Sequence, residues 1–478
     1  MHVSRFFGKH DDLHFPVWLI AQNEWKTGLV QHCAKKATPM SRRYLIVGHE
    51  ARDHAYAWKL AQSPRVEAVY VHHGNLAMIY TEKVHLLTKR PFEELAQFAI
   101  DNRIDCTLVG DTWFMQSGIV DIFRSKGLAI LGATQAAAAL ETSKLFGKRF
   151  MNKHGIRTPR HAVCTTPMDC EKFLEQASYP VVLKADQRVS SDKSAIVVPN
   201  KAQAARAYAE IFLAQTKYES CPSVVFEEFV AGREVSYTIL MDGTDWVPLA
   251  AVRDYKRAGD RDEGRNTAGM GSYSPVPWLS ADIEERIKQQ IVIPTMRGLQ
   301  AEGLQYRGFL YIGIMVDDQG NPWVLEYNTR MGDTEAETIL MRLDEDFSHV
   351  ADTAAAGSVK DLQLKWREGC AISVAVTPPG YPEEMTKAPI VLPFPKADGV
   401  MCFGSILKMD LSGIHSGHGR IACVTGYASD AAECRNKVYD TVGKLNKDQR
   451  FHIRSDIALE LVTPSAVHAE SEAACAAS

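Results

Sequence analysis

Short apolar runs of strand length alternate with helical patterns in the first part of the chain. In order along the sequence, these runs and patterns cover residues 44–48, 52–62, 66–72, 91–102 and 106–110. Strands and helices that alternate in this way predict a doubly wound α/β unit built on a parallel sheet. Ligands bind such sheets beyond the carboxyl ends of the strands, so we expect a substrate to contact the loops at 48–54, 73–75 and 110–112.

A second unit starts near Ser143 and has a different order of elements. Its predicted elements are a β-hairpin at 179–186 and 195–198, a helix near 201–216, and strands at 224–230 and 234–240. The tip of the hairpin contains Lys193, and a lysine in such a loop suits the clamping of a polyphosphate as well as it suits solvation. The strand at 224–230 contains Glu227 and Glu228, which favours an edge strand with one side in water.

Three polar residues alternate along a further predicted hairpin. An apolar run at 308–316 and turn residues at 317–321 lead into a second run that contains Glu326, Asn328 and Arg330. Side chains at alternate positions of a strand point to one face of the sheet. A carboxylate and an amide oxygen suit Mg²⁺, and a guanidinium binds phosphate or carboxylate through a planar fork of donors. The pattern indicates a metal and phosphate site, although alternating polar residues are also typical of a solvated strand face.

The segment at 253–275 is too charged for a core and contains too many glycines for a helix. Loops of this length are uncommon in compact domains unless they bind a ligand or are disordered. The mixed charges and the aromatic residues of this segment favour binding. A helix is expected at 281–302, and the β-rich pattern after residue 368 predicts a closing α+β subdomain.

The overall composition excludes some classes of partner. The chain has 478 residues, a formal net charge of −4 and a pI near 6.5, so it lacks the basic surface expected of a protein that binds nucleic acid or an anionic membrane. Ten cysteines are scattered without a Cys-x-x-Cys pair, which favours reduced thiols in a cytoplasmic protein. No apolar run reaches the roughly 18 to 20 residues of a membrane span. We therefore expect small-molecule partners.

The two ends of the chain are predicted to differ from the rest. Residues 1–42 are rich in aromatic residues and histidine and have no small-residue cleavage site, which indicates a structured N-terminal extension. Residues 465–478 contain mostly small residues without an apolar period, which predicts a disordered tail.

Motifs along most of the chain occur in the order found in one enzyme family. They are Glu141-Thr142-Ser143-Lys144, Lys184-Ala185-Asp186, Glu227 to Glu234, Asp254-Tyr255-Lys256-Arg257, Asn266 to Gly271, and Glu326 to Asp333. From about Tyr44 to about Val462 the sequence resembles glycinamide ribonucleotide synthetase, a carboxylate–amine ligase of the ATP-grasp superfamily. The resemblance implies an α/β fold with an N-terminal doubly wound domain, an ATP-grasp domain of two α+β subdomains, and a C-terminal α+β subdomain.

The resemblance also implies domain boundaries and a reaction. The implied parts are an N-terminal extension at 1–42, a substrate-binding α/β domain at 43–140, an ATP-grasp domain at 141–367 with a small lid at about 160–226, and a C-terminal domain at 368–464. The family phosphorylates the carboxylate of glycine with ATP, and the amine of phosphoribosylamine then attacks the acyl phosphate. A monomer or a homodimer is expected.

The matching motifs place the family's functional residues on this sequence. The implied ATP-binding residues are Lys144, Lys184, Glu227, Glu228, Phe229, Val230 and Glu234. The implied ligands of Mg²⁺ or Mn²⁺ are Glu326 and Asn328. The implied catalytic residues are Arg330, Asp254 and Lys193. The implied substrate-binding residues are Asn266, Thr267, Gly269, Met270, Gly271, Asp333, Arg52, His49 and Asn75.

Three loops depart from the family's pattern. In the first loop, two glycines of the family are replaced by Glu50 and Ala51, and a glutamate at this position is poor chemistry for cradling a phosphate. In the segment 110–115, aromatic residues replace alanine and proline, which predicts an aromatic wall at the site of the amine. The flap at 187–194 keeps a lysine but has no glycine.

These departures leave three hypotheses open. The sequence favours a ligase of this family with a changed amine or acid in a specialised biosynthetic pathway, with glycine as the expected acid. The second hypothesis is an orthodox glycinamide ribonucleotide synthetase of purine biosynthesis. The third is a non-catalytic nucleotide-binding relative. The intact Glu326, Asn328 and Arg330 argue against the third, because a binding module does not need a metal site on a strand.

Overall fold

The first unit is a parallel sheet with helices on both faces. It belongs to a computed structural model that describes residues 41–186, 194–216 and 223–463. Its elements are β1 (Arg42–Val47), α1 (Ala51–Ala61), β2 (Val66–His72), β3 (Val84–Leu87), α2 (Phe92–Asp101), β4 (Cys106–Val109), α3 (Thr112–Gln116), α4 (Ile119–Ser125), β5 (Ile130–Ala133) and α5 (Gln135–Thr142). The strands are parallel in the order β3-β2-β1-β4-β5, which confirms the predicted doubly wound unit.

Successive residues of β1 explain why both faces of this sheet are covered. Leu45 packs in an apolar cluster with Leu95 of α2, and Ile46 packs in a second cluster with Leu60 of α1. Successive side chains of a strand point to opposite faces, so a continuous apolar run buries both. Each large aliphatic side chain buried in this way stabilises the fold by roughly 1.5 to 3 kcal/mol.

A small antiparallel sheet follows. Its elements are α6 (Lys144–Lys153), β6 (His161–Cys164), α7 (Pro167–Gln176), β7 (Val181–Ala185), β8 (Ala195–Val198), α8 (Lys201–Gln215) and β9 (Val224–Glu228), and we refer to β6–β9 with α7 and α8 as the lid. The hairpin of β7 and β8 confirms the prediction. The predicted solvated edge is wrong, because β9 lies between β6 and β7. The hairpin tip, with Lys193, lies outside the described residues.

A long antiparallel hairpin extends the first sheet. The elements in this part are β10 (Arg233–Met241), β11 (Trp246–Pro248), β12 (Arg253–Asp254), β13 (Gly271–Ser274), α9 (Ala281–Ile287), α10 (Ile293–Ala301), β14 (Tyr306–Val316), β15 (Pro322–Asn328), α11 (Glu335–Arg342) and α12 (Phe347–Ala356). Strand β14 pairs with β10 and β15, and its first residues pair with β5. A single nine-stranded sheet therefore joins the first unit to the strand that contains Glu326 and Asn328.

A five-stranded sheet forms the C-terminal part. The elements after residue 368 are β16 (Cys370–Val376), β17 (Val400–Gly404), β18 (Leu407–Asp410), β19 (Gly413–Ser416), β20 (Ala422–Ala428) and α13 (Ala431–Leu445). The strand order is β12-β13-β16-β20-β17. The segment 253–275 thus supplies two strands to this sheet, and the prediction of one continuous loop is wrong at both ends of the segment. The predicted domain boundaries at 141 and 368 stay predictions.

The chain ends lie mostly outside the described residues, and the thiols of the described part lie in the interior. Residues 1–40 of the predicted extension and the predicted tail at 465–478 lie outside the described residues. The seven cysteines of the described part are buried and free. None of the helices in the described ranges combines the length and the apolar character that crossing a membrane requires.

Candidate active site

Glu326, Asn328 and Arg330 meet at the end of β15. The Asn328 amide donates to Glu326 Oε1 at 3.4 Å, and Arg330 Nη2 donates to Asn328 Oδ1 at 3.2 Å. The shared face predicted from their alternation is confirmed. The pairing with β14 shifts register next to Gly313, which leaves Leu325 as an extra residue in β15. A β-bulge of this kind bends a strand and re-aims its polar groups.

Lys144 and Lys184 reach this strand from α6 and from the lid. Lys144 Nζ lies 2.5 Å from Glu326 Oε2, and Lys184 Nζ donates to the carbonyl oxygen of Leu325 at 2.9 Å. Burial acts to raise the pKa of Glu326, but the surrounding lysines, with Lys256 among them, lower it below its usual range. The Glu326 carboxylate therefore stays ionised, as a metal ligand must.

A third lysine, Lys148, lies behind Lys184 in the interior. Glu227 on β9 is 3.0 Å from Lys148 Nζ and 3.0 Å from Lys184 Nζ. Lys148 and Glu227 are each 1% exposed. Burial lowers the pKa of Lys148 to about 8, and it acts to raise the pKa of Glu227, which the two lysines bring below its ordinary value. The Glu227 side chain is thus engaged by lysines, and this pairing is what allows a strand with two glutamates to lie inside a sheet.

The other residues predicted to bind ATP run from the end of β9 to the start of β10. They are Glu228, Phe229, Val230 and Glu234. The Phe229 side chain is 43% exposed, so it is open to a ligand. The Glu234 carboxylate lies 3.9 Å from Lys256 Nζ. Burial raises the pKa of Glu234, and Lys256 acts against this rise. Their contact with a nucleotide stays a prediction.

Glu141 connects the end of β15 to the first unit. Its carboxylate accepts from Thr329 N at 2.6 Å and from Thr112 Oγ1 at 2.5 Å, and it lies 3.1 Å from Arg330 Nη2. This one side chain therefore orients the Arg330 guanidinium and links it to the N-terminus of α3. Glu141 is part of a sequence motif, but the sequence did not indicate a role for it.

Asp254 and Lys256 form the centre of a buried charged cluster. Lys256 Nζ lies 2.7 Å from Asp254 Oδ2 and donates to Tyr311 Oη at 3.3 Å. Asp254 is 4% exposed, and its Oδ1 has no hydrogen-bond partner among the described residues. Burial and the neighbouring Asp254 raise the pKa of Glu335 to about 7. A buried carboxylate oxygen without a donor is costly, so this position fits a cationic ligand.

Residues 254–271, which we call the charged loop, fold back on themselves and reach the lid. Asn266 Nδ2 donates to the carbonyl oxygen of Ala195 on β8 at 3.0 Å. Thr267 Oγ1 donates to the carbonyl oxygen of Lys256 at 2.9 Å and accepts from Gly269 N at 3.0 Å. Gly269 has a φ of +108°, a conformation that favours glycine.

The end of the charged loop belongs to the body of the C-terminal sheet. Met270 is fully buried, and Gly271 lies so close to Ser373 that a Cβ would come within 2.6 Å of the Ser373 carbonyl oxygen. Their predicted contact with substrate therefore rests on backbone atoms. Arg454, which is 1% exposed, holds the other side of the loop, with Nη1 at 2.7 Å from Asp262 Oδ1. These contacts fix the loop at Asp262 and at its C-terminal end.

Asp333 joins the first unit to the C-terminal sheet and the charged loop. Its Oδ1 accepts from the backbone N–H of Arg52 at 2.7 Å, and its Oδ2 lies 2.6 Å from Arg420 Nη2. Arg420 also donates to the carbonyl oxygens of Ala268 and Gly269. Arg420 is a residue that the sequence motifs did not single out.

Family models and curated relatives match most of this chain. The model for the N domain of phosphoribosylglycinamide synthetase matches residues 42–141, and the model for its ATP-grasp (A) domain matches residues 142–336. A phosphoribosylamine–glycine ligase of Vibrio cholerae is 35% identical over 424 residues, which cover 87% of this chain and 98% of the relative. The chain belongs to the phosphoribosylglycinamide synthetase family. The same ligase of Ralstonia nicotianae is also 35% identical and covers 85% of this chain and 96% of the relative.

A comparison with solved structures supports the assignment of this chain to the phosphoribosylglycinamide synthetase family. The phosphoribosylamine–glycine ligase of Thermotoga maritima has a TM-score of 0.73 and 29% identity, and the match covers 87% of this chain and 100% of that chain. Biotin carboxylase of Campylobacter jejuni, at 15% identity and a TM-score of 0.64, shares the fold. The resemblance drawn from the motifs is confirmed. The chain is an ATP-grasp, ADP-forming ligase that joins a carboxylate to an amine, with ATP and Mg²⁺ or Mn²⁺ as its cofactors.

In this member of the phosphoribosylglycinamide synthetase family, Asp53 fills the crevice between β1 and β4. A Cβ at Gly110 would lie 1.6 Å from Asp53 Oδ1, and a Cβ at Gly48 would lie 2.3 Å from the same carboxyl group. A side chain at either position would therefore displace the Asp53 carboxyl group. Asp53 is fully buried, and this burial raises its pKa to about 8.

Glu50 occupies the N-cap position of α1, beside Asp53. Ser405 Oγ donates to Glu50 Oε2 at 2.7 Å, and Arg420 Nη2 lies 3.8 Å from the same oxygen. The N-terminus of a helix attracts anions, and here the protein's own carboxylate lies next to it. The expectation that this loop is poor at cradling a phosphate stays a prediction.

Other residues of the loops in the first unit have partners inside the protein. Asn75 Nδ2 donates to the carbonyl oxygens of His49 at 2.9 Å and Gly404 at 2.7 Å, so the amide stabilises the contact with the C-terminal sheet. Contact of Asn75 and His49 with substrate stays a prediction. The predicted aromatic wall is wrong for Phe114, which is 2% exposed within the core, whereas Trp113 is 50% exposed.

Proposed function

We propose that this chain joins glycine to phosphoribosylamine and releases ADP and phosphate. The observation on which the proposal rests is the cluster at the end of β15, where Lys144 and Lys184 meet the ionised Glu326. Two curated relatives that match this chain over nearly their whole length are phosphoribosylamine–glycine ligases. Site chemistry and relatives therefore support the same reaction.

The residues at the end of β15 fit a metal ion and the phosphates of ATP. Glu326 and Asn328 supply two hard oxygen donors on one face, and Lys144 and Lys184 supply cations within reach of the same face. ATP supplies the γ-phosphoryl group. The cations offset the negative charge that develops on this group during transfer.

The charged cluster next to this strand fits glycine. Asp254 Oδ1 lacks a donor among the described residues, and the ammonium group of an amino acid supplies one. Arg330, held in orientation by Glu141, provides a planar fork for the carboxylate. A side chain at Gly269 would lie 3.0 Å from Asp254 Oδ1, so the loop backbone closes tightly over this position.

The proposed reaction has two steps. A carboxylate oxygen of glycine attacks the γ-phosphorus, and the bond to the leaving ADP breaks. The amine of the second substrate then attacks the carbonyl carbon of glycyl phosphate, loses a proton and expels phosphate. Because water also attacks acyl phosphates, the charged loop and the lid protect the intermediate when they exclude water. No nucleophile from the protein is required.

A second candidate function keeps glycyl phosphate and changes the amine. The observation that favours it is the position of Glu50, because a carboxylate at the N-terminus of α1 repels a phosphorylated amine at that loop. The relatives do not support a changed amine, so this candidate ranks second. A non-catalytic relative, the third hypothesis from the sequence, is not consistent with membership of a ligase family.

The two candidates differ in the amine that triggers ADP release. Purified protein is incubated with Mg·ATP, glycine and a panel of amines that includes phosphoribosylamine formed in situ, and ADP is measured by a coupled assay. The first candidate predicts ADP release with phosphoribosylamine and little release with the other amines. Release with a different amine and none with phosphoribosylamine would replace the first candidate by the second. Release with no amine in the panel, although glycine is present, contradicts the first candidate.

A further inference from the structure

Arg265 contacts two other parts of the molecule at the edge of the site. Its Nη1 lies 2.5 Å from Glu210 Oε1 on α8, and its Nε lies 2.9 Å from Glu383 Oε1 after β16. The adjacent Asn266 donates to Ala195 O on β8 at 3.0 Å. Two consecutive residues of the charged loop therefore bind a helix and a strand of the lid, and one of them also binds the C-terminal part.

We propose that Arg265 is a positioning residue that couples the lid to the charged loop, so that binding of a nucleotide to the lid orders the loop that receives the amino acid. The inference rests on the proposed function, in which Lys184 of the lid contacts ATP and the charged loop binds glycine. The ligand that binds to the lid in this proposal is a nucleoside triphosphate.

The geometry suits a coupling residue for two reasons. A guanidinium presents donors in a rigid plane, so Arg265 holds two carboxylates at fixed relative positions, which a lysine ammonium does not do. The rest of the loop is fixed on its other side by Arg454, so a movement of the lid acts on a stiff segment. Side chains that are free to move independently do not transmit such a movement.

The exposure of the three charged groups suits contacts that form and break. The side chain of Arg265 is 32% exposed, that of Glu210 is 24% exposed and that of Glu383 is 51% exposed. Partly exposed ion pairs of this kind are weak, and each is worth about 1 kcal/mol or less. Such contacts bias an opening and closing equilibrium without locking the lid in one position.

Hydrogen exchange tests the coupling without any amino acid or amine. Backbone amide exchange is followed with and without a non-hydrolysable ATP analogue in the parent, Arg265→Gln and Glu210→Gln proteins. In the parent, the analogue is expected to slow exchange both in the lid and in the charged loop. In both variants the lid should still be protected, whereas protection of the loop should fall about fivefold. Equal loop protection in all three proteins overturns the proposal.

Kinetics supply a readout that a purely structural role would not change. Arg265→Gln is expected to raise the KM for the amino acid about fivefold while the KM for ATP changes less than twofold. Glu383→Gln keeps the contact of Arg265 with the lid. Its KM for the amino acid should therefore lie between those of Arg265→Gln and the parent. Arg261→Gln removes the same charge from an exposed position of the same loop and serves as the matched control. A control that behaves like Arg265→Gln would contradict a specific role for Arg265.

The two proposals fail in distinguishable ways. If the parent protein releases no ADP with glycine and any amine of the panel, the proposed function fails, but the exchange experiment with the analogue still decides the coupling. If the parent is active and the loop of Arg265→Gln is protected as in the parent, the coupling alone is wrong.

Discussion

Lys184 Nζ donates to the carbonyl oxygen of Leu325 at 2.9 Å, where β15 bulges. The extra residue in the strand turns this carbonyl group out of the ladder of β14 and β15, and a lysine from the lid satisfies it. Glu227 holds the same lysine from behind, at 3.0 Å. The position of Lys184, which we propose contacts the phosphates of ATP, is therefore set by a buried acid in the lid and a bulge in β15.

Loss of Lys148 tests the buried pair behind this contact. Lys148→Met is expected to lower the free energy of unfolding by about 3 kcal/mol, because it removes one of the two lysines that neutralise the buried Glu227. Urea denaturation measures the change. Lys153→Met on the same helix is the control, since its side chain is 66% exposed, and it should change stability by about 0.5 kcal/mol or less. Equal losses in the two variants would refute the role of the pair.

Loss of the Glu326 charge tests the metal site. Glu326→Gln keeps the shape of the side chain and removes the anionic ligand, so kcat should fall about 100-fold or more. The thermal unfolding midpoint should stay close to that of the parent, and the concentration of Mn²⁺ for half-maximal activity should rise. Glu302→Gln, which removes a charge at the C-terminal end of α10, is the matched control. Parent-like turnover in Glu326→Gln would exclude Glu326 as a metal ligand.

Local patterns were sufficient to predict much of this site. Glu326, Asn328 and Arg330 alternate, and the period of a strand places alternate residues on one face whatever surrounds them. The alternation of apolar runs and helices likewise predicted the parallel sheet, because β1 is buried on both faces. The family motifs then indicated which ligand this face would bind.

The residues that the sequence did not reveal act through partners far along the chain. Lys148 is 79 residues from Glu227, so neither residue alone indicates a buried pair, and the glutamates of β9 favoured a solvated edge that the structure does not have. Arg420, two residues before β20, reaches Asp333 because α11, which begins two residues after Asp333, packs against β20. Phe114 was expected to face the ligand, but the sequence pattern of a five-residue helix did not show which of its sides is buried.

The buried Asp53 makes stability depend on pH. Its pKa is about 8 in the folded protein, compared with roughly 3.9 in an unfolded chain, so the folded state binds the proton more tightly. Its contribution is therefore fully present below about pH 4 and is lost as the pH rises through 8, with a slope near −1.4 kcal/mol per pH unit between these values. Asp53→Asn removes this contribution. Urea denaturation between pH 5 and 8 should show that the free energy of unfolding declines less steeply with pH in Asp53→Asn than in the parent. Identical slopes in the two proteins would contradict a raised pKa.

Replacement of Glu50 tests the charge in the loop between β1 and α1. Glu50→Gly removes the carboxylate beside the N-terminus of α1, where a carboxylate repels a phosphorylated amine by about 1 kcal/mol. The KM for phosphoribosylamine is therefore expected to fall about fivefold. Glu50→Gln separates charge from shape and should produce most of the same effect. An unchanged KM in both variants would show that the amine's phosphate binds away from Glu50.

The most direct test of the ligase mechanism follows one oxygen atom. Glycine labelled with ¹⁸O in its carboxylate is incubated with the protein, Mg·ATP and phosphoribosylamine, and the released phosphate and the amide product are examined by mass spectrometry. Attack by the carboxylate on the γ-phosphorus predicts one ¹⁸O atom in each phosphate and one in each molecule of glycinamide product. Unlabelled phosphate, or phosphate released without an amide product, would contradict an acyl-phosphate ligase of glycine.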